Sequence, residues 1–298
     1  MNYDALTLAA VCAALRERLL GGRVQRVVRP SALSLGLELY RGERWQLYLS
    51  AEPQEPTVLL SEDKPRRGAE TASPLQLLQE IAQPPLERVL RLDFAGAQGD
   101  VTLVCELMGG LSNIILLGPE DAILDAAKRV PASINRYRTV LPGQRYVPPP
   151  AQDKLHPLSL TPEGLARELP LAAGPLWRRL VEIVAGVSPL LAREIVYRAM
   201  GELDPPLPLE REAIARMVES AQELWRLPDT AQWRPCVAYQ GQGAARRAMA
   251  YAPYALTHLR DCEVCESIEQ ALRRYLAERE PREAATPLHD AYALARRR

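Results

Sequence analysis

The sequence predicts an α+β protein with a strand-rich N-terminal lobe, then a helical domain, then a small segment of strands and a helix. Three observations lead to this prediction. Short runs of alternating apolar residues fill the first 150 positions, a proline-rich strap covers 142–158, and residues 161–227 show helical periodicity without strand patterns. With 298 residues, 47% of them hydrophobic, the chain is long and apolar enough for more than one core.

The N-terminal lobe is predicted to begin with one long helix. Apolar residues recur at helical spacing over 4–20, Asp4 is favourable in the first turn, and Gly21-Gly22 ends the helix. Ser73-Pro74 predicts a short helix over 73–80, because serine is a good N-cap and proline suits the first helical position. Alternation predicts strands at 23–30, 33–40, 45–51, 57–61, 87–94, 101–107, 112–118 and 122–130.

The helical domain contains a candidate pair of helices with a tight turn at 175–201. Gly186 suits the left-handed position after the first helix, and Ser188-Pro189 supplies the N-cap and first residue of the second. The pair resembles a helix-hairpin-helix element, whose turn amides can contact a phosphate, although Ser188 stands where a second glycine is usual. An ordinary αα-hairpin that packs one face on the core is the alternative.

After residue 230 the pattern changes again. Strands are predicted at 234–241 and 246–254 around a glycine-containing turn, followed by a helix at 267–280. A last helical pattern over 285–298 has no C-cap, so we expect the chain to be a piece of something longer. The predicted domains are residues 1–150, 151–230, 231–280 and 281–298. The third of these is expected to return to the N-terminal lobe.

The charge distribution limits how the chain can bind a polyanion. It carries 37 basic and 37 acidic residues, so any nucleic-acid footprint must be a local patch. The segment 126–146 contains no Asp or Glu and has these five cations: Lys128, Arg129, Arg136, Arg138 and Arg145. Such cations suit phosphate contacts, and the interleaved Tyr137 suits stacking on exposed bases. The alternative is that some of the arginines brace the strap by donating to its carbonyl groups.

Several classes of function have no support in the sequence. There are three His and no P-loop, G-x-S-x-G or dinucleotide fingerprint, so we predict no catalytic residue, no cofactor and no enzyme. Five scattered cysteines favour a reducing cytoplasm, and the C-x-x-C of Cys262 and Cys265 has only His258 nearby, so no metal site is predicted. The N-terminus lacks signal-peptide features, and no apolar run is long enough to span a membrane.

Five blocks of sequence, taken together, resemble a known family. In order along the chain they are MNYDALTLAAVCAALRERLLGGRVQRV, LMGGLSNIILL, PASINRYRTVLPGQRYVPPPAQDKL, GVSPLLAREIVYRA and APYALTHL. They resemble the NFACT-N and helix-hairpin-helix region of RqcH/NEMF-type ribosome quality control proteins, whose bacterial members are often called fibronectin-binding protein A. This resemblance implies an N-terminal lobe similar to the β-sandwich lobe of formamidopyrimidine-type DNA glycosylases.

The resemblance also implies a function and partners. Proteins of this family bind the large ribosomal subunit when it is blocked by peptidyl-tRNA. They recruit tRNA, alanyl-tRNA in bacteria, and support C-terminal alanine tailing of the stalled chain. The ribosomal peptidyl-transferase centre forms the bonds, so such a protein positions tRNA in the cytoplasm and is not itself an enzyme.

The resemblance assigns functional positions residue by residue. Asp4 matches a functional Asp near the family's N-terminus, and Glu87-Arg88 matches an Asp-Arg pair that is needed for tRNA recruitment and tailing. A further four positions are implied to take part: Asn113, Asn135, Arg136 and Arg138. Contacts with the RNA backbone are expected from Lys128, Arg129, Arg145, Gly186 and Ser188.

Three departures from the family pattern put tailing by this chain alone in doubt. Gly110-Leu111 stands where the family has Arg-His, which removes two candidate RNA contacts. The family usually has a longer stretch, partly basic, between Leu78 and Glu80. The chain also stops at 281–298, where coiled-coil arms should begin.

Four hypotheses about function remain after these comparisons. The first is a tRNA- and ribosome-binding quality control factor, or its N-terminal fragment, and the second is an interaction scaffold that has lost RNA binding. A surface adhesin is disfavoured by the missing export signal and unpaired cysteines. A DNA glycosylase is disfavoured because Asn2-Tyr3 stands where such an enzyme needs an N-terminal proline amine.

Overall fold

The computed structural model describes residues 3–62, 68–96, 99–169, 174–206 and 208–278, except for the side chain of residue 244. The helices are α1 (Ala5–Leu19), α2 (Pro162–Glu168), α3 (Leu176–Ile183), α4 (Pro189–Met200), α5 (Arg211–Trp225), α6 (Leu227–Thr230) and α7 (Ile268–Ala277). The first strands are β1 (Arg23–Ser31), β2 (Ser34–Arg41), β3 (Glu43–Ser50), β4 (Thr57–Ser61), β5 (Ala69–Glu70), β6 (Leu75–Ala82) and β7 (Val89–Gly96). The others are β8 (Val101–Glu106), β9 (Asn113–Leu117), β10 (Ile123–Ala126), β11 (Cys236–Gln240), β12 (Arg247–Ala252) and β13 (Cys262–Val264). The predicted helical pattern at 285–298 lies outside the described residues.

A large antiparallel sheet forms the N-terminal lobe, which confirms the α+β class. Its strand order is β10-β9-β8-β7-β6-β1-β2-β3-β4, and β5 pairs with β1. The strap extends the sheet beyond β10, because the Ile123 amide donates to the Gln144 carbonyl and the Gly143 amide donates to the Ile123 carbonyl, both at 2.8 Å. The edge strand β10 is thereby protected from pairing with another chain.

The predicted helix over 73–80 is wrong, because this segment forms β6. Leu75, Leu78 and Ile81 are buried at intervals of three residues, a spacing that resembles a helix. The spacing arises from register shifts in the pairing of β6 with β7, one between Leu75 and Leu77 and one between Leu78 and Glu80. Such bulges let a strand turn every third residue inward.

The helical part follows the predicted start and stop signals. The Leu191 amide donates to Ser188 Oγ at 3.1 Å, so Ser188 is the N-cap of α4, and Pro189 is its first residue. Gly186 has a φ of 72°, the left-handed conformation that glycine adopts without strain. The described residues between 161 and 230 form helices and no strand. The pair α3–α4 is therefore confirmed as two helices with a tight turn, while its identification as a helix-hairpin-helix element stays a prediction.

The three-stranded sheet β12-β11-β13 forms a wall between two hydrophobic cores. Val237, Tyr239 and Tyr251 face the first core, which also contains one side of the main sheet, α1 and α7. Alternate residues on the same strands, Ala238 and Ala250 among them, face the second core with α3, α4 and α5. Because side chains alternate across a strand, one small sheet serves both cores. The domain division at 150, 230 and 280 stays a prediction.

Two further properties concern the described residues as a whole. Within them, no helix combines the length and apolar character that crossing a bilayer requires. Nor do three or more His, Cys, Asp or Glu side chains come together there as a metal site would need. Burial raises the pKa of the Cys262 and Cys265 thiols, which keeps both protonated and weakly reactive.

Candidate functional site

Asp4 is the N-cap of α1 and lies at the centre of a buried polar cluster. Its Oδ1 accepts a hydrogen bond from the Thr7 amide at 2.8 Å. Its Oδ2 accepts from the Ser188 hydroxyl at 2.9 Å and from the Tyr254 hydroxyl at 3.4 Å. Burial raises the pKa of Asp4, because these neutral donors only partly replace the water that a carboxylate prefers.

Glu87 and Arg88 lie in the turn between β6 and β7, beside Asp4. The Gln83 side-chain amide ties this turn to α1, because it donates to the Ala5 carbonyl at 2.9 Å and to the Glu87 carbonyl at 2.8 Å. Burial lowers the pKa of Arg88, while the charges of Asp4 and Glu87 act to raise it. The three charged groups therefore lie within electrostatic reach of one another.

The α3–α4 turn packs against the same place. A Cβ on Gly186 would lie 2.6 Å from the Trp225 ring and 3.3 Å from the Leu86 Cβ, and Ser188 is buried against Asp4. Other parts of the protein thus cover the turn. This packing favours the αα-hairpin alternative over an open turn whose amides contact a phosphate.

Five predicted site residues therefore meet in one place, together with a sixth residue that the prediction did not include. We call this set the Asp4 junction, and its members are Asp4, Glu87, Arg88, Gly186, Ser188 and Tyr254. Asp4 and Tyr254 are separated by 250 positions in the chain. Glu87 and Arg88 are only half-buried, so the junction reaches the protein surface through them.

A row of polar residues continues from the junction along one end of the main sheet. The Leu107 amide donates to the Arg88 carbonyl at 2.9 Å, and Glu106 pairs in register with Asn113 on β9. Asn113 Oδ1 accepts from the Lys128 amide, and its Nδ2 donates to the Lys128 carbonyl, both at 2.9 Å. Asn113 is thus buried and engaged with the backbone, so it shapes this end of the sheet without facing solvent.

Arg138 occupies the same end of the sheet but is buried in an ion pair. Its guanidinium donates to both carboxylate oxygens of Glu106, at 2.7 Å and 2.5 Å, and to the Val147 carbonyl at 2.9 Å. The Tyr146 hydroxyl donates to Glu106 at 2.8 Å, and Glu106 has no exposed surface. This geometry favours the alternative that Arg138 braces the strap, because its guanidinium already donates hydrogen bonds to a carboxylate and to a strap carbonyl.

Arg136 and Tyr137 differ sharply from their neighbour Arg138. The loop between Val130 and Val140 is closed by paired backbone bonds, and Asn135 Oδ1 shapes its tip by accepting from the Tyr137 amide at 2.9 Å. Tyr137 is 62% exposed, and Arg136 is exposed with no ion-pair partner in the described part of the chain. The loop therefore presents one free cation beside one free aromatic ring.

The other predicted backbone contacts are in different states. Lys128 Nζ donates to the Ala51 carbonyl at 3.1 Å, and burial lowers the pKa of its ammonium group. Arg129 forms an exposed ion pair with Asp125 at 3.2 Å. Arg145 is exposed on the strap, and no ion pair of its side chain is found among the described residues. Arg136 and Arg145 are thus the two predicted cations with fully available charge.

Sequence reasoning missed another buried carboxylate, Glu194 on α4. It accepts hydrogen bonds from the Arg198 guanidinium at 2.6 Å, the Thr257 amide at 2.8 Å and the His258 ring nitrogen Nδ1 at 2.7 Å. Although burial opposes it, the hydrogen bonds from His258, Arg198 and Thr257 lower the pKa of Glu194. The block APYALTHL was the available signal, because it holds Tyr254, Thr257 and His258 together.

The family of the chain is decided by a match over almost its whole length. The family described as NFACT N-terminal and middle domains matches residues 4–290. The chain belongs to the NFACT family. The match spans the Asp4 junction, the row of polar residues at the end of the sheet and the helical part alike.

Relatives of this NFACT chain carry one shared name. It is 34% identical over 215 residues to the "Rqc2 homolog RqcH" of Bacillus subtilis strain 168, which covers 67% of this chain and 38% of that protein. It is 32% identical over 181 residues to the protein of the same name from Streptococcus suis strain 05ZYH33, covering 55% of this chain and 33% of the relative. The chain therefore aligns with about a third of the length of each of these relatives.

Solved structures support the fold of this NFACT chain. The fibrinogen binding protein from Staphylococcus aureus superposes with a TM-score of 0.72 at 22% identity, covering 92% of this chain and 99% of that one. The N-terminal part of the fibronectin/fibrinogen-binding protein from Streptococcus suis gives 0.69 at 23% identity, covering 93% and 100%. Identities this low show a shared fold and do not transfer a binding activity.

Proposed function

We propose that this chain is the tRNA- and ribosome-binding part of a cytoplasmic ribosome quality control factor. It binds tRNA and the obstructed large subunit, and it positions tRNA for C-terminal alanine tailing of the stalled chain. Bond formation belongs to the ribosomal peptidyl-transferase centre, so the chain acts without catalytic residues of its own. The proposal is supported by membership of the NFACT family and by relatives named Rqc2 homolog RqcH.

The observation that carries the proposal is the exposed pair Arg136 and Tyr137 at the end of the main sheet. An arginine without a carboxylate partner can neutralise a phosphate and release its counterions, and a free tyrosine ring can stack on an unpaired base. Arg145 adds a second available cation from the strap. Phosphate and base contacts from so few residues suit a tRNA, which presents a charged backbone together with unstacked bases at its loops and end.

Binding of fluorescently labelled tRNA to the chain across a salt series tests this proposal. We expect wild-type affinity to fall steeply with salt, and Arg136→Ala to reduce the slope of log K against log salt by about one, as the loss of one phosphate contact predicts. Arg273→Ala is the matched control, because Arg273 is also exposed without an ion pair among the described residues but lies on α7. Equal effects of the two substitutions would contradict the assignment of Arg136.

The second candidate is an interaction scaffold that has lost RNA binding. It is favoured by Leu111, which is 73% exposed at the β8–β9 turn, where the family pattern has a cationic Arg-His pair. An exposed leucine suits contact with an apolar protein surface more than contact with a phosphate. Absence of tRNA binding by wild type at low salt would favour this candidate over the first.

A further inference from the structure

Building on the proposed function, we infer that Asp4 is a positioning residue that acts through Arg88, and that Ser188 and Tyr254 belong to the same device. Gln83 holds the Glu87-Arg88 turn against α1, the Asp4 carboxylate attracts the Arg88 guanidinium across the junction, and the bond from Ser188 makes this arrangement depend on the α3–α4 hairpin. Arg88 is then the group that meets tRNA, while Asp4, Ser188 and Tyr254 never touch it.

Asp4 cannot contact an RNA directly in this arrangement. The residue is 2% exposed, and each of its carboxylate oxygens already accepts a hydrogen bond from within the protein. Its partners on Oδ2, Ser188 and Tyr254, are themselves buried, with exposures of 9% and 1%. An incoming phosphate would also meet a carboxylate of its own sign. Any influence of Asp4 on a ligand must therefore pass through a neighbouring group.

Arg88 is that neighbour, and it reaches the surface. Asp4 and Glu87 both act to raise the pKa of Arg88 against the effect of burial, so the guanidinium lies in the field of the Asp4 carboxylate. The turn that carries Arg88 is fixed on both sides. Gln83 bridges it to the Ala5 carbonyl beside Asp4, and the Arg88 carbonyl accepts from the Leu107 amide of the next strand connection.

Ser188 connects this device to the helical part of the chain. Its hydroxyl donates to Asp4 Oδ2 while its oxygen accepts from the Leu191 amide as the N-cap of α4. Leu86, next to Glu87, packs beside Gly186 in the same α3–α4 turn. The Asp4 carboxylate thus joins the start of α1 to the α3–α4 turn, and the β6–β7 turn contacts both of them through Gln83 and Leu86.

Two N-cap serines provide a matched pair of variants. Ser188→Ala removes a cap and the bond to Asp4, whereas Ser267→Ala removes only the corresponding cap of α7, where Ser267 Oγ accepts from the Gln270 amide at 3.2 Å. We expect the midpoint of thermal unfolding to fall for both, because each loses one capping bond, and to fall further for Ser188→Ala, because Asp4 Oδ2 also loses a donor. Only Ser188→Ala should weaken tRNA binding, by about tenfold, and Ser188→Thr should restore it because threonine keeps the hydroxyl.

A double-mutant cycle with Arg88→Ala tests whether Ser188 acts through Arg88. Residues that act in one unit show non-additive effects, so Ser188→Ala should change tRNA affinity by less than about twofold once Arg88 is absent. Additive losses of affinity, or an effect of Ser267→Ala equal to that of Ser188→Ala, would overturn this inference and leave the proposed function standing on Arg136. An unchanged affinity in Arg88→Ala would overturn it in the same way. A wild-type chain that binds no tRNA would instead overturn the proposed function and this inference together.

Discussion

Two buried carboxylates, Asp4 and Glu194, lie on either side of the segment 254–258 and are compensated to different degrees. Glu194 receives charged or strongly polar donors from Arg198, Thr257 and His258, and its pKa is lowered in spite of burial. Asp4 receives neutral donors only, as far as the described residues go, and burial raises its pKa. Both anchor the same segment to a helix, yet only one has its charge balanced in place.

The difference separates structural anchoring from a role in function. The charge of a carboxylate that is fully paired inside the fold is compensated there and has little influence on a ligand. Removing such a carboxylate lowers the free energy of unfolding. Asp4 has its positive neighbour, Arg88, at the protein surface. A buried charge that is incompletely balanced lowers the stability of the fold. Local destabilisation of this kind is typical of functional sites.

The largest expected effect is that of Glu194→Ala. It leaves Arg198 and His258 without their shared acceptor, and breaking a buried charged pair costs about 3–5 kcal/mol of unfolding free energy. Urea unfolding measures this loss, with tRNA binding assayed under conditions where the variant is still folded. Normal tRNA affinity of the folded fraction is expected, and a specific loss of binding would remove the distinction between the two carboxylates.

The next largest effect is expected at Arg138, and its loop neighbour Arg136 provides the comparison. Arg138→Ala leaves Glu106 buried without its cation, so we expect a loss of about 3 kcal/mol in unfolding free energy. Arg136→Ala removes an exposed side chain and should change stability by no more than about 0.5 kcal/mol. Chemical denaturation of both variants checks this ordering, which equal stabilities would contradict.

A smaller effect is expected at the turn that covers Asp4. Gly186→Ala places a Cβ on a residue with a φ of 72° and 2.6 Å from the Trp225 ring, so strain and a shifted ring should cost about 1–3 kcal/mol. Gly201→Ala is the control, since Gly201 has a φ of 77° but nothing within 4 Å of its added Cβ. A thermal unfolding midpoint no lower for Gly186→Ala than for Gly201→Ala would show that the turn packs loosely.

The smallest effect is a pH dependence of opposite sign for the two carboxylates. The raised folded pKa of Asp4 favours folding below its unfolded pKa of about 3.9, and this contribution is lost as pH rises through the folded pKa. The lowered folded pKa of Glu194 stabilises the fold above about pH 4.3, and this contribution is lost as pH falls through the folded pKa. The stability advantage of wild type over Asp4→Asn should therefore shrink from pH 3 to 7, whereas that over Glu194→Gln should grow. Slopes of the same sign in urea unfolding at these pH values would refute the contrast.

Local signals predicted much of the fold, and non-local pairing explains the failures. Asp4 and the Gly21-Gly22 pair marked α1, and Ser188-Pro189 marked α4, because caps and breakers act on adjacent backbone. The segment 73–80 carried an equally good local signal for a helix, yet it pairs with β7 as a strand. Two register shifts in that pairing let apolar residues spaced three apart face the same side. The local pattern of a segment does not show whether the next strand along the chain will pair with it.

The candidate site was predictable in its members more than in its arrangement. Arg136 and Arg138 look alike in the sequence, and only the position of Glu106 separates a free cation from a buried one. Tyr254 was visible only as a member of the block APYALTHL, and Glu194 was not singled out, since a buried hydroxyl or carboxylate becomes recognisable only when its partners are known. Apart from Arg198, which follows Glu194 by four residues on α4, their partners lie on other elements, beyond the reach of spacing arguments.

The shared wall of β11 and β12 has a consequence for how the chain folds during synthesis. The strands of the N-terminal lobe can pair early, since most of their contacts are between neighbours in sequence. Asp4, however, is synthesised before its partners Ser188 and Tyr254 and cannot bond to them until they emerge. Both cores remain incomplete until β11 and β12 have formed. Contacts between such distant positions slow folding. Both cores of a nascent chain are thus expected to stay exposed until residues 236–252 have left the ribosome, and exposed apolar surface of this kind favours aggregation.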